Sequence, residues 1–141
     1  MRIAIVEDEQ DLALELHALL QKLGSHSIAL FPGGEQFLFA WEEQPYDLVF
    51  LDIQMKGMNG LKIARKVREK DAHAYLVFLT NDPSFVFEGY EVNAVRYWLK
   101  PVQEKSFVSF GSAGSTESVS VMVHRWRTAQ AVRGGYLLFG K

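Results

Sequence analysis

The chain has 141 residues, 48% of them hydrophobic and 23% charged, the balance of a folded domain with a substantial core. Its formal net charge of -2 argues against a chain that coats nucleic acid or a membrane over its whole surface. With no cysteine there is no disulfide, thiolate metal site or thiol nucleophile, and no apolar stretch approaches the roughly 20 residues of a membrane span.

Met1 and Arg2 lead directly into the apolar run Ile3 to Val6, which ends in Glu7 and Asp8. No signal peptide fits there, so the expected location is cytoplasmic. Leu12, Leu16, Leu19, Leu20 and Leu23 then recur at helical spacing, with Gly24 as a C-terminal stop. Ser27 to Phe31 reads as a second strand, and Phe37, Leu38 and Trp41 mark a helix that ends before Pro45. Leu48 to Asp52 is the third strand, and Lys56 to Gly60 a loop. Leu61, Ala64 and Val67, with Ile63 beside them, form the next amphipathic face, and Tyr75 to Thr80 is the fourth strand. Asp82 and Pro83 suit a helix start, and Val95 to Lys100 reads as the fifth strand.

Strands and helices in alternation, joined by short connections, predict an α/β fold with a mostly parallel sheet. The regular pattern stops near Phe107: residues 109–120 are rich in Ser and Gly and read as a linker, and a helical spacing resumes from Thr116. Val119, Val121 and Val123 alternate as a strand would, which leaves that segment open between the two. Arg125, Arg127, Arg133 and Lys141 make the end of the chain basic, and Tyr136 to Phe139 looks like the opening of another strand.

In an open parallel sheet the carboxyl ends of the strands share one edge, where ligands bind. Glu7, Asp8, Asp52, Thr80 and Lys100 all sit at such ends. One Asp at a strand end is ordinarily a turn or helix-cap residue. Four strand ends carrying compatible chemistry weigh differently. Crowded carboxylates repel, and a divalent cation removes that penalty; Mg²⁺ commonly takes one or two carboxylates plus water and phosphate. Asp8 and Asp52 are the direct ligands expected, with Glu7 acting through water and the Gln54 backbone carbonyl completing the protein's share. Asp52, ending the central run, is the expected nucleophile for an aspartyl-phosphate. Lys100 and Thr80 would then hold the remaining equatorial oxygens.

These residues resemble the receiver domain of two-component response regulators. Val6-Glu7-Asp8-Glu9 resembles its acidic pair, and Leu51 to Met55 with Gly57 to Gly60 its phosphoacceptor loop. Thr80 and Lys100-Pro101 match its switch hydroxyl and lysine-proline step, and Phe87 to Val102 is similar to the LytTR-type (LytR/AlgR) subgroup. The resemblance implies a flavodoxin-like (βα)5 three-layer sandwich with strand order 2-1-3-4-5. It implies a phosphoprotein rather than an enzyme acting on other substrates, whose Asp52 is phosphorylated by a sensor histidine kinase with Mg²⁺. It further implies that Thr80 and Tyr97 act as the switch pair, that Lys100 contacts the phosphoryl group, and that the phosphorylated form is a homodimer. DNA would be bound through a C-terminal domain largely absent from this chain, and no membrane is involved. On this reading residues 1–106 are the receiver and residues 107–141 a linker and stub, with residues 116–133 able to complete a fifth helix. The alternative is a receiver-like docking or dimerisation module that phosphorylation does not regulate.

One position departs from the family pattern beside the site. Lys56 stands where proline is usual, which frees the loop backbone and brings another positive charge near Asp52.

Overall fold

The structure is a computed structural model that describes residues 2–22, 27–72 and 74–80, together with the backbone of three further strands. In chain order the elements are β1 (Arg2–Val6), α1 (Gln10–Gln21), β2 (Ser27–Phe31), α2 (Gly34–Glu43), β3 (Leu48–Asp52), α3 (Gly60–Lys70) and β4 (Tyr75–Thr80). The three further strands are β5 (Arg96–Leu99), β6 (Phe107–Ser109) and β7 (Thr116–Glu117). They form one sheet in the order β2-β1-β3-β4-β5-β6-β7. The pairs from β2 to β5 are parallel, as the expected order 2-1-3-4-5 requires.

Both faces of β1, β3 and β4 are covered, which is why these runs are apolar without alternation. The period of two survives in what each residue packs against. Ile3, Ile5, Leu48, Phe50, Val77 and Leu79 pack with Ala13, Leu16 and Leu20 of α1. Ala4, Val6, Val49, Leu51, Leu76 and Phe78 pack with Phe37 and Trp41 of α2 and with Leu61, Ile63, Ala64 and Val67 of α3. The result is three layers, with α1 on one face of the sheet and α2 and α3 on the other.

Local chemistry sets the ends of these elements. Asn59 caps α3, its side-chain oxygen accepting from the Lys62 N–H at 3.0 Å. The Arg68 guanidinium donates to the carbonyls of Asp71 and Ala74, tying the end of α3 to the start of β4. Burial lowers the Arg68 pKa, and the Asp71 charge opposes that shift. Arg2 anchors the opposite edge of the sheet: its N–H donates to Asp47 Oδ2 at 2.8 Å, and its guanidinium lies 4.5 Å from the centre of the Tyr46 ring. Lys70 and Glu42 form an exposed ion pair between α3 and α2, which holds the Glu42 carboxyl below its usual range.

The sheet departs from expectation beyond β5. The regular pattern reads as stopping near Phe107 and residues 109–120 as a linker, yet β6 pairs antiparallel with β5 and β7 antiparallel with β6. Thr116–Glu117 is therefore extended, not the start of a helix. The physical reason is the edge: β5 as the last strand would present a row of open N–H and C=O groups, and β6 covers it. The proposed continuation over residues 118–133 and the strand at Tyr136 to Phe139 lie outside the described residues, as do Leu23, Gly24, Asp82 and Pro83.

Candidate functional site

The parallel register sets the site. Val6 lies beside Leu51, and Asp52 beside Leu79, so β1, β3 and β4 end together on one edge. Glu7 and Asp8 leave β1 there, Asp52 ends β3 and Thr80 ends β4. Glu7, Asp52 and Thr80 are buried, at 3%, 1% and 1% exposure, while Asp8 is exposed. Three buried polar side chains at one sheet edge are unusual, because such groups are costly to bury without a compensating interaction.

The acids form a cluster. One carboxylate oxygen from each of Glu7, Asp8 and Asp52 lies within 4.8 Å of the others. Oxygens that share one Mg²⁺ at about 2.1 Å sit at most about 4.2 Å apart, so small side-chain rotations close the set around a cation. Hard oxygen donors, two of them buried, are the right chemistry for Mg²⁺, and the residues present fit that ion.

Main-chain groups hold the cluster in place. The Glu9 N–H donates to Glu7 Oε2 at 3.3 Å, and the Glu7 N–H donates to the Phe31 carbonyl at 3.0 Å. The Gln54 N–H donates to Asp52 Oδ1 at 3.1 Å, which fixes the Asp52 carboxylate over its own loop. Gln54 is exposed, and it is the amide of this residue that touches Asp52. The Lys56 N–H donates to Asp8 Oδ2 at 3.4 Å. Tyr97 is placed in β5 at the register position beside Phe78. Lys100 lies outside the described residues.

Sequence reasoning placed Gly60 in the acceptor loop and gave it no packing role, whereas it is the first residue of α3. It opens α3 directly against the acceptor loop, its N–H donating to the Ile53 carbonyl at 3.3 Å. A Cβ at this position would stand 2.4 Å from the Asp52 carbonyl oxygen. Alanine in a helix normally gains about 1 kcal/mol over glycine. Overpacking against backbone costs about 1–3 kcal/mol, so Gly60→Ala is expected to lose net stability in urea unfolding. A stabilised variant would show that α3 does not press on the acceptor loop.

The comparisons with known proteins agree with this geometry. A profile of the response regulator receiver domain matches residues 3–110. The chain is similar to the sensory transduction protein LytT of Oceanobacillus iheyensis, 36% identical over 112 residues that make up 76% of this chain and 45% of that protein. It is similar to the positive alginate biosynthesis regulatory protein of Pseudomonas aeruginosa, 33% identical over 74% of this chain and 43% of that protein. The chain thus spans less than half the length of these relatives. Among solved structures, the response regulatory domain of mrkE from Klebsiella pneumoniae aligns with a TM-score of 0.72 at 24% identity, over 96% of this chain and 99% of that one. The BeF3-activated receiver domain of DrrB, a Thermotoga maritima protein, aligns with a TM-score of 0.70 at 26% identity, over 90% of this chain and 97% of that one. Among the described residues no helix is long and apolar enough to cross a membrane.

Proposed function

The chain belongs to the response regulator receiver domain family, and from that premise we propose that Asp52 is a phosphoacceptor, loaded by a sensor histidine kinase in a Mg²⁺-dependent reaction. The observation that carries this reading is the Asp52 carboxylate, buried at the carboxyl end of the central strand and clustered with Glu7 and Asp8.

Asp52 would attack the phosphorus of a phosphohistidine in line. The P–N bond breaks as the P–O bond to the carboxylate forms, and the imidazole nitrogen leaves with the bonding pair. Mg²⁺, when bound, supplies positive charge to the equatorial oxygens. Asp8 and Asp52 would hold it directly, Glu7 through water, with the Gln54 carbonyl as a further donor. The Gln54 amide keeps one Asp52 oxygen engaged and so aims the carboxylate.

Thr80, buried at the end of β4, would move to bond the phosphoryl group, and Lys100 would pair with its charge. Tyr97 would follow, altering the face beside β5 and favouring a homodimer. The LytTR-type resemblance supports an output in transcription, carried by a C-terminal DNA-binding domain largely absent from this chain, in a cytoplasmic protein.

The test is intact mass after incubation with acetyl phosphate and Mg²⁺, with and without EDTA. A gain of one phosphoryl group that EDTA prevents is the expected result. No gain under conditions that label another receiver, with no response to beryllofluoride, would favour the unphosphorylated docking module instead.

A further inference from the structure

Lys56 departs from the family's usual proline, and the departure decides a contact. A proline has no backbone N–H, whereas the Lys56 N–H donates to Asp8 Oδ2 at 3.4 Å across 48 positions of sequence. The same loop already holds Asp52 through the Gln54 N–H. Gly57, at φ 79°, turns the chain immediately after Lys56, and the Gly60 N–H returns the loop to the Ile53 carbonyl. One loop therefore grips two of the three clustered carboxylates. Asp8 is the exposed member, the one whose side chain has most freedom to turn away.

We infer that Lys56 is a positioning residue whose main-chain amide, rather than its ammonium group, raises the Mg²⁺ affinity of the acid cluster by holding the Asp8 carboxylate beside Asp52. The inference rests on reading Glu7, Asp8 and Asp52 as a Mg²⁺ site. A carboxylate has about four lone-pair sites, so one N–H bond leaves Asp8 ample capacity for a cation. A carboxylate already oriented by an outer partner loses less freedom when the metal arrives. The Lys56 side chain is exposed, so its charge acts on the cluster through water and is screened.

Isothermal titration with Mg²⁺ on the unphosphorylated protein separates the two parts of Lys56. Lys56→Ala keeps the amide and removes the charge, and its dissociation constant should stay within about 2-fold of the unaltered protein's. Lys56→Pro removes both. It should weaken binding about 3- to 10-fold, at or below the low end for an outer-shell partner because the bond is long and exposed. Replacing the amide between residues 55 and 56 by an ester deletes the N–H without a ring, and should weaken binding by the same factor of about 3- to 10-fold relative to the unaltered protein, which keeps the test intact if Lys56→Pro unfolds. Equal affinity for the ester form and the unaltered protein overturns the role, as does an equal loss in Lys56→Ala. An unaltered protein that binds no Mg²⁺ at all would instead overturn the metal reading beneath it.

Discussion

Asp52→Asn is expected to gain no phosphoryl group from acetyl phosphate and Mg²⁺ under conditions that label the unaltered protein. An amide oxygen is a far poorer nucleophile than a carboxylate and carries no charge for the cation. The change is nearly isosteric, and an Asn oxygen can still accept the Gln54 N–H that Asp52 Oδ1 accepts at 3.1 Å. The variant should therefore melt cooperatively while losing both reactions of the site. Its Mg²⁺ affinity should drop about 10-fold or more, because one of three clustered carboxylates is gone. Intact mass and Mg²⁺ titration read the two losses separately. Labelling at the unaltered level would place the acceptor on another residue. Normal Mg²⁺ binding without labelling would keep Asp52 as nucleophile and leave the cation to Glu7 and Asp8.

The strands were legible because burial on both faces leaves no polar position inside them. The run Leu48 to Leu51 is apolar throughout, and each of its side chains is fully buried between α1 and the α2–α3 layer. The acid cluster was legible for a related reason: Glu7, Asp8 and Asp52 interrupt those runs where a core residue would otherwise continue. Periodicity carries no such signal for main-chain contacts. Lys56 drew attention as a missing proline that frees the loop backbone and adds a charge, and only the structure shows its amide reaching Asp8. Gly60 looked like a loop glycine, and only the approach of α3 to the Asp52 carbonyl gives its missing side chain a role. The segment after Phe107 misled for a third reason. Ser and Gly between Ser109 and Ser120 weigh towards a linker, while the pairing of β6 with β5 is a nonlocal property of an open sheet edge.

Phe50→Ala is expected to cost about 3–5 kcal/mol of stability, the range for truncating a buried aromatic side chain. Phe50 lies in β3, between β1 and β4, and is 0% exposed. It packs in the cluster that joins the sheet to Ala13, Leu16 and Leu20 of α1. Those three are the buried residues of that helix, so α1 has few other contacts with which to fill the space. Domains of this size are stable by about 5–15 kcal/mol, so the loss is a large share of the total. Urea unfolding should show a lower midpoint with an unchanged slope. The contrast is Phe39→Ala in α2, where the ring is 70% exposed and the change should stay within about 0.5 kcal/mol. The consequence reaches the site, because α1 begins at Gln10, two residues after Asp8. A helix that no longer seats on Phe50 loosens the turn holding Glu7 and Asp8, so Mg²⁺ affinity in Phe50→Ala should fall before the sheet unfolds. Unchanged affinity at the edge of the unfolding transition would mean that β1 and the Asp52 loop hold the acids without help from α1.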